Sequence, residues 1–236
     1  MIGLMLLLAQ TAATPSAPRE FSVHDTRLMI DDYGRCVVRR KHDSAATAIS
    51  RNLDNADLMK YYPELIDGRC MDGPPLARKT RVRFQGDEFR YALADALVRK
   101  DLASAPPPAV ATIPPLDHRD PTPPSRVDEK GRAVSDRDYQ QALDAYQRDA
   151  AFSYASRLGE CIVRANSSEA RDLLATKPES PAETSSFVAM GDALTSCVDN
   201  GEKLSLNKLV LRGIVAVNYY RLVTAARGLP VAGAAH

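Results

Sequence analysis

Apolar positions recur every three or four residues along most of this chain, and the recurrence stops at turn-forming clusters that divide it into helices. Leu28, Met29, Tyr33, Cys36 and Val37 share one face of a predicted helix over 21–41. Asp43 and Ser44 are placed to cap a short second helix through Ala45, Ala46 and Ile49, behind three cations, Arg39, Arg40 and Lys41, that suit a helix C-terminus. A third helix is expected from about Asn55 towards Asp67, offset by Pro63, delivering Cys70 before the turn signal Asp72-Gly73-Pro74-Pro75. Thr80 to Phe84 alternates polar and apolar residues, which predicts a short extended segment with Val82 and Phe84 inward. From Gly86-Asp87 another helix runs to about Leu102, with Phe89, Leu93, Leu97 and Val98 on its apolar side.

Residues 103–132 break the pattern. They hold eight of the chain's 16 prolines, a density that no helix tolerates, and read as an extended linker with a small turn at Glu129-Lys130-Gly131. The helical period resumes behind Ser135-Asp136 and holds from Tyr139 through Leu143, Tyr146, Ala150, Tyr154, Leu158, Cys161 and Ile162 to about Asn166. Ser167 and Ser168 are expected to cap a helix from Ala170 to Thr176, Pro178 to stop it, and Pro181 to open one running to Cys197. After the Asn200-Gly201 turn and the short run Lys203 to Leu206, a last helix is predicted over 207–227, ended by Gly228 and Pro230.

One stretch occurs twice: Gly34-Arg35-Cys36-Val37-Val38-Arg39 and Gly159-Glu160-Cys161-Ile162-Val163-Arg164. A second cysteine follows each copy at nearly equal distance, Cys70 and Cys197. Further on, Phe89-Arg90-Tyr91-Ala92-Leu93-Ala94 falls on Leu211-Arg212-Gly213-Ile214-Val215-Ala216. Two anchors in the same order imply an internal duplication. The expected fold is therefore mainly α: a helical repeat over 18–102 and a second over 133–228, each with a short extended segment before its last helix, joined by the Pro-rich linker. The order of a helix ending in Gly-x-Cys-hydrophobic-Val-Arg, a short helix, a helix bringing a second Cys and a final Arg-bearing apolar helix resembles that of small uncharacterised exported bacterial proteins. The resemblance covers most of 30–102 and 150–226; it implies export and carries no activity with it.

Composition adds compartment more than chemistry. With 31 basic against 30 acidic residues, no Trp and 6% aromatics, neither nucleic acid nor an anionic membrane is an expected partner. Residues 1–17 resemble a signal peptide, with an apolar run from Ile2 to Ala9 followed by small residues, although no cation precedes the run. The mature chain is expected in the periplasm or secreted, or in the cytoplasm if that reading of the N-terminus fails, and 229–236 reads as a disordered tail. The most apolar later stretch, Leu209 to Tyr220, contains Arg212 and is short for a membrane span. The four cysteines have neither Cys-x-x-Cys spacing nor a recurring histidine, so metal is not indicated. A copied unit should carry its own staple, which selects the pairs Cys36–Cys70 and Cys161–Cys197 out of three possible pairings.

No catalytic motif stands out. The histidines His24, His42, His118 and His236 lie in unrelated contexts, and His24-Asp25 with Asp31-Asp32 reads as a solvated helix face rather than a metal cluster. No cofactor is indicated. Arg39 and Arg164 suit helix ends, and Arg78, Lys79, Arg81 and Arg83 a solvated edge. Arg90 and Arg212 differ, because each sits inside the most apolar part of its helix and needs a partner. Pairing inside the protein is the expected arrangement for both, and they are also the candidate ligand-binding residues, for a carboxylate or phosphate. The function expected is a non-catalytic module that binds an as yet unknown partner protein or cell-envelope component; the alternative is an enzyme or small-molecule carrier with its site between the repeats, near Arg90 and Arg212.

Overall fold

Two helices that carry their apolar residues all the way round organise the core. A computed structural model describes residues 22–71, 84, 86–104, 106–107, 109–198 and 206–227. The expectations for 1–17, Thr80–Arg83, 203–205 and 229–236, and for the basic cluster Arg78 to Arg83, lie outside the described residues. Among those described there are nine α-helices: α1 (Val23–Arg40), α2 (His42–Ser50), α3 (Asn55–Tyr61), α4 (Glu88–Asp101), α5 (Asp136–Ala165), α6 (Ser167–Ala175), α7 (Pro181–Ala189), α8 (Gly191–Cys197) and α9 (Lys208–Ala226). Short 3₁₀ turns at Pro63–Leu65 and Gly68–Met71 stand where the third helix was expected to continue, because Pro63 denies it a backbone donor.

Most helix starts follow their caps. Ser135, Ser180 and Asn207 accept from Asp138, Glu183 and Val210 backbone amides at the heads of α5, α7 and α9. Two caps differ from expectation: α2 begins at His42 with no side-chain cap, and Asn166 rather than Ser167 caps α6 by accepting from the Glu169 amide. The second cysteine of the C-terminal half arrives on a separate short helix, α8, after a break at Met190.

Helix α4 is buried continuously from Phe89 to Val98, and α9 from Arg212 to Thr224. A single apolar side was expected for α4; its alternating alanines let neighbours close on every side, so Arg90 and Asp95 are buried as well. The two helices pack on each other, α1 and α2 cover α4, and α5 and α6 cover α9. By length and composition α9 would cross a bilayer, since its apolar run continues past Arg221 further than the sequence reading allowed. In the structure 72% of that stretch is buried inside the protein, as befits a core helix.

Glycine permits the closest approaches. A Cβ on Gly34 would lie 2.5 Å from the Ala92 carbonyl oxygen of α4, and one on Gly159 would lie 2.5 Å from the Ile214 carbonyl oxygen of α9. At Gly213 the ring of Tyr91 occupies the space a side chain would take. Disulfides Cys36–Cys70 and Cys161–Cys197 tie α1 to the Gly68–Met71 turn and α5 to α8, with Cα–Cα distances of 5.5 and 5.8 Å. Phe84 points inward as expected, its ring 5.4 Å from Tyr33 and 5.1 Å from Phe89.

The proline-rich stretch departs from a spacer. Ile113 is 8% exposed and joins the core. Arg164 donates to the carbonyls of Val110, Ile113 and Pro114, while Arg119 pairs with Asp54 and Asp57 across the fold. Prolines exclude a helix but not packing, and carbonyls left without helical partners were met by arginines from the body. The expected turn is present: Val127 bridges Ala133, with Gly131 at φ 74°.

Candidate functional site

Two polar clusters interrupt the apolar core, and they differ in charge balance. The first surrounds Arg212, which is 4% exposed. Its guanidinium donates to Asp95, Glu183, the Thr176 hydroxyl and the carbonyls of Leu173, Leu174 and Thr176. It thus closes the C-terminal end of α6, where unpaired carbonyls gather. Glu183, fully buried, also accepts two bonds from Arg27, at 3.0 and 2.8 Å, and one from the Glu179 amide. Burial alone would lower Arg27; Glu183 and Glu179 outweigh it and raise it. Asp31 and Asp95 share Arg99. Beside Arg212 lies a cavity of about 30 Å³, lined in part by Arg27, Asp31 and Asp95, room for a water molecule or two.

The second cluster has fewer acids. Arg90, 2% exposed, donates to Asn52 Oδ1 and lies 4.6 Å over the Phe152 ring, with Asp87 no closer than 3.9 Å. Arg221, 3% exposed, donates to the Asp117 carbonyl at 2.6 Å and, at 3.4 Å, to Ser156 Oγ and Asn218 Oδ1. Among the described residues neither guanidinium has a carboxylate within hydrogen-bond reach, and the Nε of each is buried without a partner. Burial first, then the charge of Arg90, brings Arg221 down to about 10. Burial lowers Arg90 too, against the pull of Asp87.

Ser156 sits at the middle of this cluster. Its hydroxyl meets Asn52 Nδ2 at 3.2 Å and His118 Nδ1 at 2.8 Å, and His118 Nε2 meets Glu160 Oε2 at 2.5 Å. No family model, curated protein or solved structure matches the chain. The hydroxyl–imidazole–carboxylate order is the one that activates a nucleophile in hydrolases, but here the serine is 2% exposed and its hydroxyl is enclosed by Asn52 and Arg221. At that exposure the hydroxyl is not presented to a substrate carbonyl. Burial lowers His118, opposed by Glu160 and reinforced by Arg221. Glu160 is held low: burial raises it, but the Leu116 amide, His118 and Arg164 prevail. Outside the buried part, His118, Glu160, Arg157, Arg164 and the Cys161–Cys197 disulfide line an open cleft of about 630 Å³.

The structure therefore separates the two arginines that the sequence grouped. Arg212 is enclosed by partners of its own chain, whereas Arg90 keeps company with Arg221, which the sequence reading passed over. The signal was present, since Arg221 also interrupts the apolar run of α9. His118 was set aside because nothing in a proline-rich stretch indicates that it folds back onto α5. The acidic and imidazole groups of α1 disperse: His24 meets Glu179 at 3.3 Å, Asp31 meets Arg99, and Asp32 meets Arg35. Among the described residues no group of three or more His, Cys, Asp or Glu is placed to hold a metal ion. Arg39 is exposed at the end of α1.

Proposed function

We propose that the protein is an exported, non-catalytic helical module, built from a duplicated cysteine-stapled unit, which binds a partner protein or a cell-envelope component through the leading half of α5. The observation that carries the binding surface is in α5 itself. None of its residues is buried before Phe152, yet Tyr139, Leu143 and Tyr146 repeat at the four- and three-residue spacing of one apolar stripe. Those turns stand outside the core, with Arg126 of the preceding turn 4.0 Å over the Tyr139 ring. A helix presenting such a stripe beyond its own core suits docking into an apolar groove.

The duplication is supported by more than sequence. Gly34 lies against Ala92 and Gly159 against Ile214, and these are matching positions in the alignment of the two halves. Tyr91 and Gly213, also matching, touch each other, as expected where two copies meet about a local two-fold axis. Export is supported by two disulfides, which persist in oxidising compartments. A non-catalytic role is supported by the enclosure of Ser156 and by the internal partners of Arg212, which leave the alternative site between the halves without its second arginine.

The test is co-purification from an envelope extract of the native cell, using the oxidised full chain and a variant carrying Tyr139→Ser, Leu143→Ser and Tyr146→Ser. A discrete species retained by the native protein and lost by the variant, with the melting temperature unchanged, is the expected result. Equal retention by both would refute α5 as the docking element.

A further inference from the structure

The two disulfides are not equally placed towards solvent. In the Cys36–Cys70 bridge both cysteines are half-buried, whereas Cys161 is exposed and Cys197 half-buried, and this second pair lines the open cleft of about 630 Å³ together with Ser196 and Ala165. Arg157 and Arg164 stand four residues before Cys161 and three after it, and Ala165 four after, so all three share its face of α5. The arginines are paired, Arg157 with Asp120 and Arg164 with Glu160, so the approach presents matched charges rather than a block of carboxylates that would repel a thiolate. On the far side of the bridge the Ser196 hydroxyl lies 3.9 Å from Cys197 Sγ. A disulfide sulfur carries no proton, so the hydroxyl is the donor there. The segment that the bridge holds is thinly anchored: the buried residues of α7 and α8 are Glu183 and Ala193, with Met190 between the two helices.

We infer that Cys161–Cys197 is a site of thiol–disulfide exchange with a protein dithiol, while Cys36–Cys70 is a closed structural bridge. Exposed disulfides are the labile ones. One thiolate of the dithiol attacks Cys161 Sγ, the exposed end. The bond to Cys197 breaks as the new S–S bond forms, and its electron pair leaves on Cys197, beside the Ser196 hydroxyl, to be protonated by water. The second thiolate then attacks the dithiol's own sulfur in the mixed disulfide and releases Cys161, which is protonated in turn. The dithiol ends as a disulfide, oxidised by two electrons, and the protein as two thiols. The consequence is local: α8 loses its covalent tie to α5, while Glu183 keeps α7 on Arg27 and Arg212. The site lies on the trailing half of α5 and does not depend on the docking face of the leading half.

The experiment treats the oxidised full chain with dithiothreitol under native conditions, stops aliquots by alkylation and maps the labelled peptides. Cys161 and Cys197 should be labelled about tenfold faster than Cys36 and Cys70. Ala165→Tyr, at an exposed position beside Cys161, should slow that pair and leave the other bridge as it was. Glutathione, a monothiol that cannot complete the second step, should be found on Cys161 rather than Cys197. Equal rates at the two bridges, faster labelling of Cys36 and Cys70, a rate unchanged by Ala165→Tyr, or glutathione on Cys197 would each overturn the inference.

Discussion

Two histidines place opposite pH dependences in one molecule. His42 meets Asp43 and both oxygens of Asp101 at 2.9 Å, and its pKa is raised, first by Asp43, with burial opposing and Asp101 assisting. A raised folded-state value means that its stabilisation is fully present below the ordinary histidine range and fades as pH rises through the folded value. His118 is lowered, chiefly by burial, so the unfolded chain binds its proton more readily and stability falls as pH drops through the ordinary range. Melting curves between pH 5 and 9 should therefore show His42→Gln losing most at the acid end, and His118→Gln flattening the native protein's acid-side decline. If the two variants shifted the profile in the same direction, these environments would be misassigned. Of these pairings the sequence offered only the neighbour His42-Asp43; Asp101 is brought in by the packing of α2 on α4, and Glu160 by the return of the proline-rich stretch.

At the scale of elements, helix boundaries were largely legible because caps and prolines act locally: Ser135, Ser180 and Asn207 work within four residues of where they stand. The burial of α4 on all sides was not, since only one apolar side was marked and the partners of Arg90 and Asp95, Asn52 and Arg212, arrive from other elements. The Gly-x-Cys repeats were visible as sequence, while their purpose is a contact: each glycine lets its helix lie against a carbonyl of α4 or α9. Gly34→Ala and Gly159→Ala should each cost about 1–3 kcal/mol by forcing the helices apart, and Gly68→Ala, where a Cβ meets nothing within 4 Å, should change little. Urea unfolding at fixed pH measures all three. Equal tolerance at the three sites would remove the close-approach argument and one support for the duplication.

For the whole molecule, the staples matter as much as the core. Their sequence separations of 34 and 36 residues correspond, in the chain-entropy account, to about 4 kcal/mol each, against the roughly 5–15 kcal/mol of a typical domain. Reduction should lower the melting temperature sharply, and calorimetry with and without reductant measures it; a reduced protein melting with the oxidised one would show that packing alone suffices. The mainly helical character and both cysteine pairs could be read from the chain. The course of 103–132 could not, because Arg164 and Arg221, together with the Asp54 and Asp57 partners of its own Arg119, anchor it from far away in sequence.

The proposed role rests on α5 meeting something outside the protein, and site-specific photo-crosslinking in the native compartment tests that most directly. A photoreactive residue replacing Leu143 on the leading half of α5 is compared with one replacing Asp172, exposed on α6. A discrete heavier adduct from position 143 and none from position 172 is the expected result. Adducts absent at 143, or the same at both positions, would contradict a docking role for this helix.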